Sequence, residues 1–418
     1  MKTKGIMAVL AMAIVGVACA TSVASAVTPS ALFSDHAVLL KSPSTPVFGF
    51  AAPGEKVAVS VAGVESSAVA GADGKWIVRL ALSSAGRGPH AMRIGDKTFG
   101  DVVVGEVWLA SGQSNMSFKM HEADDADMEC EIENPGVRCF VVTDGIAERP
   151  NDRISGQWWL SGRGRTSGMT AVGYHFAKNL NRALGCPVGI VEAAVGASSI
   201  ESWRRIFGKP ELPFGWCQLA GWKHKVRDPN VIYPSGTDWD WPRLRMAQDR
   251  ALRLPMTGQA VLIDAGEAAD IHPRDKRTPG ARLAAWALAT VYGKTDVPYL
   301  GPRVAKAEPT CGTMVVTFTD CGGGLEARAL ADNYPERTKE GKFAPLVRNS
   351  PNAQVEGFSL AGADGKWHWA DEATISGDKV IVSAKAVPNP VKVRYAYAIN
   401  PVANLYNKEG FPAVPFGD

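Results

Sequence analysis

The chain has 418 residues, of which 46% are hydrophobic and 21% are charged, and its formal net charge at pH 7 is +3. A chain of this length holds two or three domains of ordinary size, and the composition is that of a globular protein with a large core. The small net charge, and the lack of a basic run interleaved with aromatic residues, argue against nucleic acid as a partner.

The first 26 residues have the pattern of an export signal. Two lysines precede the apolar residues 6–18, and Ala24-Ser25-Ala26 fits a cleavage site. The apolar run is too short to span a bilayer comfortably. We therefore predict a signal peptide over residues 1–26, a mature protein that begins near Val27 in the periplasm or outside the cell, and no insertion in the membrane.

Seven cysteines are present, and removal of the predicted signal leaves six. An even number allows disulfides in an oxidising compartment. Cys130 with Cys139, and Cys311 with Cys321, are close enough in sequence to close small loops, although the sequence fixes no pairing. No pair has zinc-ligand spacing with a histidine, so the sequence predicts no metal site.

Residues 27–100 contain short strand patterns separated by turn signals. The segment Ala72-Asp73-Gly74-Lys75 is typical of a hairpin turn. We predict a small β-sandwich over residues 27–100. Its expected strands are one within Pro46–Gly54, which also contains a Pro-Gly turn, and those at Lys56–Ala62 and Trp76–Leu82.

From residue 101 to about residue 300, short apolar strands alternate with amphipathic helices. This alternation predicts a mostly parallel sheet flanked by helices, with ligands bound at the carboxyl ends of the strands. The expected strands are Val103–Ala110, Val137–Val142, Val188–Val195, Phe214–Ala220 and Ala260–Asp264. The expected helices are Ala171–Leu184, Pro242–Leu252 and Pro279–Tyr292.

A strand pattern without helices returns over residues 301–418. It predicts a second β-sandwich at the carboxyl end of the chain. The expected strands are Met314–Thr319, Ala353–Phe358, Lys379–Ser383 and Val391–Ala396.

A serine at position 114 follows the glycine turn that ends the first strand of the middle segment. Such a turn exposes the Oγ atom, and N–H groups at the start of the next helix stabilise developing negative charge. A Gly-Gln-Ser tripeptide alone also fits a serine that only caps a helix. The whole segment Gly105-Glu-Val-Trp-Leu-Ala-Ser-Gly-Gln-Ser-Asn-Met116 resembles the first sequence block of the sialate O-acetylesterase family, a branch of the SGNH (GDSL-like) serine hydrolases. The resemblance implies that Ser114 is the nucleophile.

The polar segment Asp264–Lys276 supplies the candidate base, His272, and a candidate orienting acid, Asp270. From the residues alone, a chance pair in a solvated loop is an equal alternative. Asp270-Ile271-His272-Pro273 with a following lysine is similar to the last block of the family, which implies that His272 is the catalytic base. SGNH enzymes more generally place the acid three residues before the histidine, where Ala269 stands. A backbone carbonyl is therefore an alternative orienting group.

Gly196-Ala-Ser-Ser-Ile-Glu-Ser-Trp203 is similar to the family's Gly-Gly-Thr-x-x-Glu-x-Trp block. The resemblance implies that the Gly196 N–H is an oxyanion donor beside that of Ser114, and makes Glu201 a candidate substrate-binding residue. Ala197 replaces the second glycine of the block. The alternative is that Glu201 and Trp203 only cap and pack the next helix.

Gln113 and Asn115 flank the predicted nucleophile. Their amide side chains are candidates either to shape the oxyanion site or to brace the turn that carries Ser114. Bracing is the interpretation that we favour for both residues.

A further block of the family, Trp-Tyr-Gln-Gly-Glu-Ser-Asn on a central strand, has no counterpart in this chain. The join falls near residues 203–205, as an internal deletion would leave it. We predict that Val188–Val195 and Phe214–Ala220 pair directly across the gap, because unpaired ladder groups are costly when buried. The lost block also implies the loss of one oxyanion donor.

The resemblance implies an SGNH-hydrolase-like α/β fold between two β-sandwich domains. It also implies a secreted carbohydrate esterase that removes O-acetyl groups from sialic acid or another acetylated glycan without a cofactor. The alternative is a catalytically weakened or inactive derivative of that family. Such a derivative would be a glycan-binding protein or a deletion product that does not fold stably.

Overall fold

The structure is a computed structural model in which the described residues are 27–145, 151–198, 212–223, 228–232, 240–328, 336–337, 343–344 and 354–417. The predicted signal peptide lies outside these residues. Within them, no helix is both long enough and apolar enough to cross a membrane.

The N-terminal strands form two sheets that share one hydrophobic core. Buried and exposed residues alternate along β3, β4 and β6, as in strands with one face in a core. Ala62 and Gly63 join β4 to β5 with φ angles of 54° and 78°, as a tight hairpin turn requires. The strands are β1 (Thr28–Pro29), β2 (Val38–Leu40), β3 (Thr45–Phe50), β4 (Lys56–Val61), β5 (Val64–Val69), β6 (Lys75–Leu80), β7 (His90–Ile94) and β8 (Lys97–Gly112).

Strand β8 belongs to both the N-terminal and the middle part of the chain. Its beginning pairs with β7, and its end, from Glu106 to Gly112, pairs in parallel with the strand Val188–Ala194. Residue 100, at which the sequence pattern changes, therefore lies inside a single strand.

The middle sheet runs in the order β10-β9-β11-β8. Its new members are β9 (Asn134–Val142), β10 (Gly156–Ser161) and β11 (Val188–Ala194). Strands β9, β11 and β8 are parallel, and β10 is antiparallel to β9, so the sheet as a whole is mixed. The carboxyl ends of β8 and β11 therefore meet at one edge.

Five α-helices accompany these strands in the described part of the chain: α1 (Ser114–Ser117), α2 (Ala126–Glu129), α3 (Ala171–Leu184), α4 (Trp241–Arg250) and α5 (Arg277–Thr290). Helix α3 has the predicted bounds. Thr170 caps its start by accepting a hydrogen bond from Gly173 N, and Gly185 ends it with a φ of 62°.

The predicted direct pairing of Val188–Val195 with Phe214–Ala220 is wrong. Strand β11 already has β8 on one side and β9 on the other. The second segment instead forms a separate parallel pair, β12 (Phe214–Cys217) with β13 (Thr257–Ala260). Among the described residues, the edge of the end of β8 that faces away from β11 and the outer edge of β12 have no ladder partner, so a gap separates the two sheets.

Helix α5 spans this gap with the side chain of Trp286. The Trp286 ring lies 6.3 Å from the ring of Trp108 on β8. It also contacts Gly215 on β12, where a Cβ atom would lie 2.7 Å from Trp286 Cζ3. The absence of a side chain at Gly215 thus allows the close contact between strand and helix.

Ala260–Asp264 was predicted as a strand, but β13 ends at Ala260. Beyond it, Val261 and Ile263 pack into the C-terminal core instead of continuing the sheet. This turn of the chain begins the loop that leads to His272.

The C-terminal strands form a four-stranded sheet, β14-β15-β22-β21, a three-stranded sheet, β20-β19-β23, and shorter pairs. Ala353–Phe358 was predicted as a strand, but β19 begins only at Phe358, because Gly357 with a φ of 105° turns the chain first. The strands are β14 (Arg303–Thr310), β15 (Thr313–Thr319), β16 (Leu325–Ala327), β17 (Glu336–Arg337), β18 (Phe343–Ala344), β19 (Phe358–Ala361), β20 (Trp367–Trp369), β21 (Glu372–Ser376), β22 (Lys379–Ser383), β23 (Lys392–Tyr395) and β24 (Leu405–Asn407).

Candidate active site

Ser114 begins the short helix α1, two residues after the end of β8. Gly112 has a φ of 141°, which side-chain-bearing residues rarely adopt, so the glycine allows the sharp exit from the strand. The N–H groups of Met116 and Ser117 both donate to the Gln113 carbonyl and close the turn. Among the described residues no backbone carbonyl accepts from the Ser114 N–H.

His272 reaches Ser114 from the loop that follows β13. Its Nε2 atom lies 2.8 Å from Ser114 Oγ, within hydrogen-bond distance. Both side chains are half-buried, so they are accessible from the surface. This is the contact that a serine and its general base need.

Asp270 lies beside His272 but contacts its backbone more closely than its ring. The Asp270 Oδ1 atom accepts a 2.8 Å hydrogen bond from the His272 N–H. The same oxygen is 3.4 Å from His272 Nδ1, which is longer than a good hydrogen bond. The carboxylate therefore shapes the loop and contributes a weaker, solvent-exposed interaction to the imidazole.

Gly196 follows β11 and lies next to the nucleophile. A Cβ atom placed on Gly196 would be 3.8 Å from Ser114 Cβ. The Val195 N–H donates to the Gly112 carbonyl at 3.0 Å, which joins the ends of the two strands. Among the described residues no acceptor is present for the Gly196 N–H.

The side chains of Gln113 and Asn115 both bind backbone carbonyls of neighbouring loops. Gln113 Nε2 donates to the Ser198 carbonyl, beyond β11. Asn115 Nδ2 donates at 3.0 Å to the carbonyl of Ile271, the residue before His272. These contacts favour the bracing interpretation. Glu201 and the join near residues 203–205 lie outside the described residues.

Lys276 is a buried cation near the site to which the sequence analysis assigned no role. Its side chain is 2% exposed, and its Nζ atom donates at 2.7 Å to Asn115 Oδ1. The ammonium also lies 4.3 Å from the centre of the Phe118 ring. Burial lowers the pKa of Lys276 to about 8, against smaller opposing effects of nearby acidic groups.

Glu192 is a second buried charge that the sequence analysis missed. It accepts a 3.0 Å hydrogen bond from the Thr170 N–H and one from Lys119 Nζ. These contacts hold the segment after α1 against β11. The sequence signal for this buried charge is a charged residue inside the otherwise apolar strand Val188–Ala194.

Asp264 anchors the start of the His272 loop. Two hydrogen bonds of 2.7 Å join its carboxylate to the Arg282 guanidinium, and Tyr406 donates to it at 2.9 Å. Burial alone would raise the pKa of Asp264, but these donors outweigh burial and lower it.

Asp125, Glu129 and His175 form the one cluster in the described part of the chain with the composition of a metal site. Arg277 Nη2 lies 2.8 Å from Asp125 Oδ2, and Lys178 Nζ donates to Glu129. The carboxylates are thus already paired with cations, and the cluster joins α2 and α3 to the start of α5.

All six cysteines of the predicted mature chain are free thiols. Neither small loop, Cys130 to Cys139 nor Cys311 to Cys321, is closed. Burial raises the pKa of the Cys139 thiol and that of Cys217, the latter to about 12, so both stay protonated at neutral pH.

The geometry can be compared with known proteins. No model of a known protein family matches the chain. Sialate O-acetylesterase of Mus musculus is 30% identical over 522 aligned positions, which cover 91% of this chain and 92% of that protein. The Homo sapiens protein of the same name is 24% identical over 50% of this chain and 57% of its own length. The crystal structure of a carbohydrate acetylesterase from Xanthomonas citri superposes with a TM-score of 0.80 and 32% identity, covering 93% of this chain and 99% of the other.

Proposed function

Because this chain belongs to the sialate O-acetylesterase family, we propose that it is a secreted carbohydrate esterase with a serine nucleophile. Its relatives indicate an acetylesterase that acts on a carbohydrate or a sialate. The proposed reaction is removal of O-acetyl groups from sialic acid or another acetylated glycan, on an SGNH-type fold. The observation that carries this proposal is the 2.8 Å contact between Ser114 Oγ and His272 Nε2.

In the proposed reaction, Ser114 Oγ attacks the carbonyl carbon of the acetyl group while His272 Nε2 accepts its proton. The tetrahedral intermediate expels the sugar hydroxyl, which receives that proton from His272. Water, activated by the same imidazole, then attacks the acetyl-enzyme, and acetate leaves as Ser114 is reprotonated. Asp270 assists by keeping the His272 loop in position.

The negative charge on the carbonyl oxygen needs hydrogen-bond donors. The N–H groups of Ser114 and Gly196 suit this role, because each is next to the nucleophile and has no acceptor among the described residues. Loss of one donor typically lowers the rate about 100- to 1,000-fold. If the absent family block carried a third donor, the proposed activity would be weak.

The absence of the family's central-strand block is part of this proposal, and the gap between β8 and β12 supports it. The alignment with the mouse protein is longer than this chain, so the relative has segments without a counterpart here. Beside the gap, Gln218 is 1% exposed, yet Nε2 and Oε1 of its side chain have no hydrogen-bond partner among the described residues. These features favour a second candidate function, a weakened esterase that acts mainly as a glycan-binding protein.

Acetate release tests the proposal and separates the two candidates. The substrates would be O-acetylated sialic acid, an acetylated polysaccharide and a generic acetyl ester. The Ser114→Ala variant removes the nucleophile, and Ser111→Ala, three residues earlier on β8, is the matched control. Release by the native chain and by Ser111→Ala, but not by Ser114→Ala, would support the esterase. Release that survives Ser114→Ala would refute the serine mechanism. A cooperatively melting native chain that binds glycan without releasing acetate would favour the second candidate.

A further inference from the structure

One amide side chain connects the two loops that carry the proposed catalytic pair. Asn115 directly follows Ser114, and its Nδ2 atom donates to the carbonyl of Ile271, which directly precedes His272. Its Oδ1 atom accepts from Lys276 Nζ at 2.7 Å. In this one orientation, the Asn115 amide therefore links the loop of Ser114 to the loop of His272.

A side-chain amide can rotate by half a turn and exchange its oxygen and nitrogen. In the rotated state Oδ1 would face the Ile271 carbonyl, and two acceptors would oppose each other. An ammonium group can only donate hydrogen bonds, so Lys276 Nζ can bond to Oδ1 of Asn115 but not to Nδ2. The cation thereby selects the amide orientation in which Asn115 holds Ile271.

The environment of Lys276 suits an orienting role. Its Nζ atom lies against the face of Phe118, and no carboxylate in the described part of the chain is within 4.0 Å of it. Burial of a cation without a paired anion is costly, so a structural salt bridge does not explain its presence.

We propose that Lys276 is a positioning residue that acts through Asn115 to keep His272 at hydrogen-bond distance from Ser114. This inference rests on the proposed function, because its consequence is the reactivity of Ser114. Lys276 touches neither reacting atom, and its role is to fix the separation of the two loops.

The titratable groups that act on Lys276 come from β12 and from its own loop. The carboxylates of Asp275, Glu267 and Asp270 favour the charged ammonium, whereas Cys217 on β12, whose thiol stays protonated at neutral pH, would do so only as a thiolate. Burial acts against them and lowers the pKa of Lys276 to about 8. Above that pH the neutral Lys276 amine can accept a hydrogen bond as well as donate one. It can then also bond to Nδ2 of the rotated Asn115 amide.

The test measures the rate constant for labelling of Ser114 by a fluorophosphonate between pH 6 and pH 10. Lys276→Met removes the cation and keeps a long apolar side chain against Phe118. Since misplacement by about 1 Å costs about 100-fold, we expect labelling at pH 7 to slow about 10- to 100-fold. In Lys276→Met, we also expect the change in labelling rate that deprotonation of Lys276 causes above pH 8 in the native chain to be absent. Lys294→Met, beyond the far end of α5, is the matched control and should label at the native rate.

A double-mutant cycle shows whether Lys276 acts through Asn115. Asn115→Ala, Lys276→Met and the double variant should slow labelling to a similar extent, because each breaks the same connection. Additive losses would overturn the proposal. Asn115→Asp keeps an acceptor for Lys276 and removes the donor to Ile271, so it should be as slow as Asn115→Ala. Native-like labelling of Asn115→Asp would also overturn the proposal. Because Asn115 is exposed, this variant decides the matter even if Lys276→Met does not fold.

A second readout separates failure of this inference from failure of the proposed function. An unlabelled native chain would refute the esterase. The ring nitrogen resonances of His272 would still decide the positioning role. We expect them to shift in Asn115→Asp and Lys276→Met, while those of His90, on β7, stay unchanged. Unshifted His272 resonances in both variants would overturn the inference.

Discussion

The Nε2 atom of His272 and the Oγ atom of Ser114 are 2.8 Å apart, although 158 residues separate them in the chain. The general base thus lies within reach of the proton of the nucleophile, and a small acetyl ester is a suitable first substrate.

Replacement of His272 by glutamine should lower the rate of acetate release at least about 100-fold, because general-base assistance is worth about 100- to 10,000-fold. Initial rates at saturating ester would measure this. His90→Gln, on the N-terminal strand β7, is the control and should keep the native rate. A His272→Gln variant with more than a tenth of the native rate would contradict the assignment.

Replacement of Asp270 by alanine should have a smaller effect, about 10-fold on kcat/KM. The carboxylate is 3.4 Å from Nδ1 and 56% exposed, so water screens its interaction with an imidazolium. Its larger contribution is the hydrogen bond to the His272 N–H. Steady-state kinetics would check this, and a loss as large as that of His272→Gln would show that Asp270 does more than shape the loop.

Replacement of Arg282 by leucine should lower the free energy of unfolding at pH 7 by about 3 kcal/mol, because it leaves Asp264 charged and buried. The folded-state pKa of Asp264 is depressed, so its contribution is present above pH 3.8 and is lost as the pH falls through the folded-state value. The difference from the native chain should therefore shrink in acid. Urea unfolding at pH 7 and near pH 3 would measure it.

The exposed pair Arg163–Glu131 provides the control for this experiment, with side chains that are 76% and 62% exposed. Arg163→Leu should leave the unfolding midpoint almost unchanged. Equal effects of the two arginine substitutions would refute a special role for the Asp264 contact.

The Lys276→Met substitution should also change how stability depends on pH. The pKa of Lys276 is about 8 in the folded chain and 10.5 in the unfolded chain, so between these values the unfolded chain binds more protons. The cost of burying the charge is fully present below pH 8 and disappears as the pH rises towards 10.5. The stability of the native chain relative to Lys276→Met should therefore increase by about 3 kcal/mol over that interval. Denaturant titrations at several pH values would test this, and a flat difference would contradict it.

Export stays a prediction from sequence. If Ala24-Ser25-Ala26 is cleaved, the secreted protein should begin at Val27, which N-terminal sequencing would show. An intact Met1 form in the cytoplasm would contradict it.

Local sequence signals predicted individual elements well where a cap or a turn defined their ends. Helix α3 has its predicted bounds because Thr170 and Gly185 stop it on either side. The predicted placement of β12 beside β11 was wrong. The order of strands in a sheet depends on which strand edges are already paired, and the residues Phe214–Cys217 contain no pattern that indicates this.

For the candidate site, motifs identified Ser114 and His272 as residues but did not reveal the contact between Lys276 and Asn115. A lysine in a polar loop is usually solvated, and only the three-dimensional structure shows that this one is buried. Likewise, the 3.4 Å separation of Asp270 from the ring depends on loop geometry that a two-residue spacing does not determine.

Strand β8, of 16 residues, has a consequence for how this chain can change during evolution. Successive side chains of a strand point to opposite faces, so insertion or deletion of one residue within β8 would reverse the faces of all residues on one side of the change. Either the pairing with β7 or that with β11 would then present its apolar residues to water. Length changes between the N-terminal sheet and the nucleophile are thus tolerated in the loops outside β8 or at a bulge such as the one that shifts its register against β7 near His90, whereas point substitutions elsewhere in the strand can accumulate.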